Sequence, residues 1–193
     1  MRRYAQGDEA AFAQLVERHY ASVYHYIHRF FSGRVDAEDL AQDVFLKVVR
    51  SARQYRVKAR FTTWLFRIAH NTCIDHHRRQ SRLKVVSAEA ENEEGEVDSL
   101  LERMSDGAPP ASRRVLSREL LSLVQSALLE LPEEQRTVFV LREEMGLPFE
   151  EVARVLGCNV NTAKSRMRYA LERLAASLRR RDVTEEVLAA YAL

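Results

Sequence analysis

Three stretches of this 193-residue chain hold side chains whose types and spacing could do chemistry. The first is a predicted helix in which Asn161, Lys164, Ser165, Arg168 and Tyr169 fall on one side at 100° per residue. Ala163, Met167, Ala170, Leu171 and Leu174 fall on the other. A helix whose outer face carries amides, hydroxyls and cations can enter a major groove, read base edges and touch phosphates. From Lys164 to Arg181 seven bases stand against one acid, Glu172. The second stretch, Arg53 to Lys84, sets nine bases against Asp75 alone and interleaves them with Tyr55, Phe61, Trp64 and Phe66. Cations with aromatic faces suit a single nucleic-acid strand, because phosphates attract charge and unstacked bases stack on rings. Trp64 is expected to be at least partly buried. The third is His70, Cys73, His76 and His77, at the three- and four-residue spacings that can hold zinc. They lie on the basic helix with only Asp75 as a further acidic ligand, so solvated or phosphate-directed histidines are the preferred reading and no metal is assigned.

The elements that must position these groups are helices throughout. Phe12, Leu15, Val16, His19, Val23, Tyr26, Ile27 and Phe30 form one stripe of a long helix that ends before Gly33. Asp36 can cap a second helix that opens with four acids in eight residues, with Leu40, Val44 and Val48 facing inward. A third begins at Phe61-Thr62-Thr63-Trp64 with a threonine as its predicted cap. Later, a helix runs from about Leu116 through Leu129. Pro132-Glu133-Glu134 and Pro148-Phe149-Glu150-Glu151 each read as proline at the first helical position followed by acids, with stops at Gly146 and Gly157. Pro148–Leu156, Gly157-Cys158-Asn159 and Val160–Leu174, with Asn159 as cap, have the spacing of a helix-turn-helix.

Between the two helical sets the periodicity fails. Glu89-Ala90-Glu91-Asn92-Glu93-Glu94-Gly95-Glu96 is an acidic run and Gly107-Ala108-Pro109-Pro110 a breaker. Loops of this length are uncommon inside compact domains, so the chain is expected to be two small all-α domains joined by a flexible acidic linker. The expected divisions are 1–81, a linker over 82–115 that can include a short helix near Val97–Met104, 116–181, and a tail over 182–193. Val187–Ala190 and Tyr191 in that tail could pack as a short helix or meet a regulator.

Composition narrows the functional classes. A net charge of +2 says nothing by itself about a polyanionic partner, yet residues 1–81 carry 14 bases against 8 acids while the rest of the chain is net acidic. Two cysteines far apart, Cys73 and Cys158, exclude a disulfide scaffold and a four-cysteine zinc site, and Cys158 is expected as a small buried residue. The polar start and the lack of a long apolar run predict neither secretion nor membrane insertion, and hence a cytoplasmic protein. No glycine-rich phosphate loop, nucleophile elbow or paired metal carboxylates occur, so no catalytic residues, cofactor or small-molecule substrate are predicted.

Four blocks in order carry a resemblance: Asp36-Ala37-Glu38-Asp39-Leu40-Ala41-Gln42-Asp43-Val44-Phe45, Phe61 through Asn71, Leu131-Pro132-Glu133-Glu134-Gln135-Arg136, and Asn161-Thr162-Ala163-Lys164-Ser165-Arg166. Together they resemble the signatures of the extracytoplasmic-function (ECF) sigma factors of bacterial RNA polymerase, over roughly residues 7–81 and 116–178. The resemblance implies a non-catalytic promoter-specificity subunit for a specialised regulon, with region 2, a variable linker and region 4. It implies core RNA polymerase and promoter DNA as partners, and commonly an anti-sigma factor. It also implies site roles: core-polymerase binding by Asp36, Glu38, Asp39, Gln42, Asp43 and Phe45. The melted minus-ten strand would fall to Arg60, Phe61, Arg67, Asn71, Arg78 and Arg79, and the minus-thirty-five element to Thr162, Lys164, Ser165, Arg166, Arg168 and Tyr169. Two other classes make different expectations. A self-sufficient helix-turn-helix regulator would bind duplex DNA without polymerase, and a metal-dependent nucleic-acid enzyme would lose metal and turnover together with His76 and His77.

Overall fold

A computed structural model describes residues 1–31, 33, 35–55, 60–86, 122–181 and 183, and every regular element among them is helical. In chain order these are α1 (Arg2–Ala5), α2 (Glu9–Phe31), α3 (Ala37–Arg50), a 3₁₀ turn (Ala52–Gln54), α4 (Phe61–Val86), α5 (122–129), α6 (Glu133–Phe139), a π-helical segment (Val140–Glu144), α7 (Phe149–Leu156) and α8 (Val160–Arg179). Most of the linker expected over 82–115, its short helix, residues 116–121 and the tail beyond Val183 lie outside the described residues, but α4 runs on to Val86, past the expected boundary.

The described residues fall into two compact units. Residues 1–86 form one unit together with 140–163, and 122–139 form the other together with 164–183. In the first unit α7 lies against α4.

In the first unit α2, α3 and α4 pack on one another. Val23, Tyr26 and Ile27 of α2, Val44 and Val48 of α3, and Leu65 and Ala69 of α4 are at most 1% exposed. Burying each of the larger side chains contributes about 1.5–3 kcal/mol. Aromatic rings fill the rest, with Tyr26 edge-on to Phe66 at 5.6 Å and Phe30 edge-on to Phe31 at 4.9 Å. Asp36 caps α3 as expected, its Oδ1 accepting from the amides of Glu38 at 2.9 Å and Asp39 at 3.3 Å. The threonine cap expected for α4 is absent: the helix already starts at Phe61, and Thr63 is turned inward, 3% exposed, where its hydroxyl finds a carboxylate instead.

Both prolines sit one position earlier than expected. Pro148 is the cap of α7, with extended backbone, and the Pro132 carbonyl accepts from the Gln135 and Arg136 amides just before α6. After α6 the helix widens by one residue per turn, the Met145 amide reaching back to the Val140 carbonyl at 2.9 Å, and Gly146 ends it at φ +67°.

The second unit has its own core, in which Ala127, Leu128 and Leu131 meet Ala170, Leu174, Leu178 and Val183. Glu130 ties the end of α8 to this core. Its carboxylate accepts from Ser177 at 2.7 Å, from Arg180 at 3.0 Å and from Arg181, and the Ser177 hydroxyl, first among these, holds its pKa below the usual value. Leu171 departs from its expected inward place: it is 48% exposed, while Ala163, Met167, Ala170 and Leu174 are buried. The buried stripe steps 163, 167, 170, 174, 178, and at 100° per residue position 171 falls at its edge, about 60° from its centre.

Candidate nucleic-acid interface

The turn before α8 determines where its outer face starts. Gly157 adopts the left-handed conformation at φ +65°, and the Cys158 amide donates to the Ala153 carbonyl at 3.1 Å, closing α7. A Cβ at residue 157 would have open space, so the backbone angle alone calls for glycine there. Asn159 then caps α8, its Oδ1 accepting from the Thr162 amide at 2.7 Å. Cys158, expected buried, is only partly so. From this start Lys164, Ser165, Arg168 and Tyr169 emerge together as an exposed group. The Arg168 guanidinium lies 4.6 Å from the Tyr169 ring centre and 3.7 Å from Glu172. Arg166, expected among the phosphate contacts, is different: it is bound to Glu134 at 2.6 Å with its side chain 26% exposed. Thr162 is half-buried and spends its amide on the cap.

The α4 face gathers most of the second set. Arg67, Asn71 and Arg78 recur at four and seven residues along one exposed stripe. They line a cleft with His70, Ile74 and Asp75. Phe61 is half-buried in a ring cluster, 5.9 Å from Trp64, 6.1 Å from Tyr55 and 5.3 Å from His19. Trp64 is half-buried, as expected. Arg60 is largely exposed, while Arg79 is exposed away from the cleft lining. The other wall of this cleft is Val155, Leu156 and Gly157, and a second cleft runs from Thr63, Trp64 and Arg67 to Glu150, Arg154 and Asn159. No sequence signal had paired α4 with α7.

The third face is acidic. Asp36, Glu38, Asp39, Gln42 and Asp43 are all exposed on α3. Phe45 is not among them: it is 6% exposed, stacked on Tyr20 at 6.0 Å and edge-on to Phe12 at 6.5 Å. The apolar residue on that face is Leu46, 52% exposed and in line with Asp39, Gln42 and Asp43 at helical spacing. The adjoining acids leave a trace on the neighbouring helix, because burial first and then Glu38 push the Tyr20 hydroxyl above its ordinary pKa.

The four zinc candidates do not converge. Cys73 is fully buried, His77 is exposed, and the His70 ring, packed on Phe30, takes the Tyr26 hydroxyl on Nδ1 at 3.0 Å. Burial pushes His70 down to about 4, so its ring is neutral. Among the described residues no cluster of three or more His, Cys, Asp or Glu could hold a metal ion, and no helix is long and apolar enough to cross a membrane.

Helices with a basic-aromatic face, followed by a helix-turn-helix with a cationic outer face, define a DNA-reading protein. Comparison makes this definite, since residues 15–83 match the family model "Sigma-70 region 2" and residues 121–174 match "Sigma-70, region 4". The chain is 32% identical to the ECF RNA polymerase sigma factor SigW of Bacillus subtilis, over 90% of this chain and 92% of that one. It is 34% identical to the ECF RNA polymerase sigma-E factor of Escherichia coli K12, over 88% and 87%. Among solved structures, CnrH in complex with the cytosolic domain of CnrY is 28% identical, with a TM-score of 0.63 over 92% of this chain and 93% of that one. Sigma factor RpoE of Bartonella quintana, in complex with the anti-sigma factor NepR, shares the fold at a TM-score of 0.72 and 23% identity, over 88% and 97%. The chain belongs to the ECF sigma factors of the sigma-70 family. It is therefore a non-catalytic specificity subunit that binds core RNA polymerase and directs promoter recognition.

Proposed function

We propose that the three faces divide this work by residue. The α3 face, with Asp36, Glu38, Asp39, Gln42, Asp43 and Leu46, docks on core polymerase. Acids around one exposed leucine suit a basic, partly apolar helical surface. The α4 face, with Arg60, Phe61, Arg67, Asn71, Arg78 and Arg79, holds the melted minus-ten strand. Asn71 is suited to a base edge because an amide both donates and accepts. On α8, Lys164, Ser165, Arg168 and Tyr169 read the minus-thirty-five element, with Thr162 and Arg166 toward phosphates. The exposed quartet on α8 is the observation that carries this assignment, since nothing in the core requires it. In the promoter complex residues 1–81 and 116–181 act as separate readers joined through 82–115. The working place is the cytoplasm, and an anti-sigma factor restrains the protein; that CnrH is solved in complex with the cytosolic domain of CnrY supports a bound protein partner. Run-off transcription with purified core polymerase on a pool of promoters tests the proposal. The expected result is a discrete set of start sites that appears only with this chain; identical transcripts with and without it would refute the reading.

A further inference from the structure

Between Lys164 and Arg181 the one acid is Glu172, and it stands where an acid opposes the work of its neighbours. It follows Ser165 by seven residues and Arg168 by four, so the pitch of α8 sets it on the exposed face that carries the cations, one turn beyond Arg168. A carboxylate there repels the phosphates that this face must approach, which weakens binding to DNA of any sequence. Its neighbour is the arginine assigned to base readout. The Arg168 guanidinium carbon lies 4.6 Å from the centre of the Tyr169 ring, and its Nη1 lies 3.7 Å from Glu172 Oε1. A long arginine side chain without such contacts swings between base edges and flanking phosphates. With the ring against its plane and the carboxylate at one corner, the fork is confined to one plane and one direction.

We propose that Glu172 is a positioning residue for sequence readout: it aims the Arg168 fork at a guanine edge, lowering affinity for DNA in general and raising discrimination at one base pair. The inference rests on the assignment of Arg168 to the minus-thirty-five element. With Nη1 turned to Glu172, the fork still has its Nη2 and Nε donors for the O6 and N7 acceptors of guanine. In open solvent the pair is weak. In a major groove the water around it is displaced, and the attraction grows as the local dielectric falls.

The test uses holoenzyme assembled from the full chain and core polymerase, and a promoter mapped by run-off in which each base pair of the upstream element is replaced in turn. Competition binding then gives a base preference at every position. R168A should flatten the preference at one position. E172A should lower the preference at that same position about fivefold, from roughly tenfold to about twofold, and leave the other positions unchanged. It should also bind a scrambled upstream element up to about twofold more tightly, because a negative charge has left the phosphates. E172D keeps the charge but sets the carboxylate back by one carbon, so it should lose most of the preference without the general gain. In the R168A background, E172A should change no preference, since the acid acts through Arg168. Wild-type preference in E172A or E172D, or an equal gain for E172A on every sequence, would reduce Glu172 to a bystander charge and overturn the proposal. Loss at a different base pair, which a glutamate accepting from a cytosine amine would give, overturns it too, as does equal loss at all positions, the mark of a damaged helix. The underlying assignment fails separately: if R168A leaves the preference at every position intact, Arg168 reads no base.

Discussion

Replacing Arg168 by alanine separates the DNA-reading role of α8 from its folding. The guanidinium is 63% exposed and its ion-pair partner Glu172 57% exposed, so their 3.7 Å contact contributes at most a few tenths of a kcal/mol. Its position 4.6 Å from the Tyr169 ring adds about 0.5 kcal/mol at such an exposed site. The fold should therefore lose less than about 1 kcal/mol, a shift of roughly 2–4 °C in the unfolding midpoint at this chain length. A contact to a base edge is worth about 1–3 kcal/mol, which is roughly a five- to 150-fold loss of promoter affinity. The assay is run-off transcription by the holoenzyme from two templates identical except for a scrambled upstream element. R168A should reduce output from the intact template toward that of the scrambled one and leave the scrambled template unchanged, with core association intact. R168K should fall between, because an ammonium donates as a point and not as a fork. Equal loss on both templates would refute the assignment.

Charge reversal in D39K/D43K should weaken core-polymerase binding, most strongly at low salt, without changing DNA binding by the isolated chain; L46D should do the same with little salt dependence, and competition binding against core enzyme measures both. D36A removes the acceptor for two amides at the start of α3 and should cost about 1 kcal/mol in urea unfolding, with an unchanged slope. Acid should destabilise the first unit through His70, whose ordinary value near 6.5 is lowered by burial to about 4 in the fold. The unfolded chain then takes up the proton first, so the neutral ring's contribution is complete above about pH 6.5 and is lost as pH falls from 6.5 to 4, on the order of 2–3 kcal/mol. Burial lowers His19 and His28 too, which act in the same direction. The unfolding midpoint of H70N should fall less between pH 7 and 4.5 than that of wild type; parallel curves would contradict this.

The helices were readable because their signals are local. Asp36 and Asn159 cap where their side chains reach the next amides, Gly157 stops α7 because few other residues take its backbone angle, and the three- and four-residue spacing marks the buried stripes. The misses come from rotation and from distance. Phe45 and Leu46 are neighbours in sequence, and only the packing of Tyr20 and Phe12 decides which of the two is buried. Leu171 looks as apolar as Leu174, yet lies at the edge of the stripe that meets Leu128. The pairing of Thr63 with Glu151 spans 88 residues, and that of His25 with Glu144 spans 119. A buried glutamate in a first turn reads in sequence as an acid that favours the helix dipole, so nothing there announces its partner. The π-helical segment that carries Glu144 also has no compositional mark.

The central claim is that one chain presents two faces to two separate promoter elements while core polymerase holds it. Photo-crosslinking measures this directly, with a photoreactive amino acid at position 71 or 168 in otherwise intact holoenzyme bound to a promoter mapped by run-off. Position 71 should label the unpaired strand near the start site, and position 168 a duplex segment upstream of it. Labelling of the same segment from both positions, or of polymerase alone from position 168, would contradict the account.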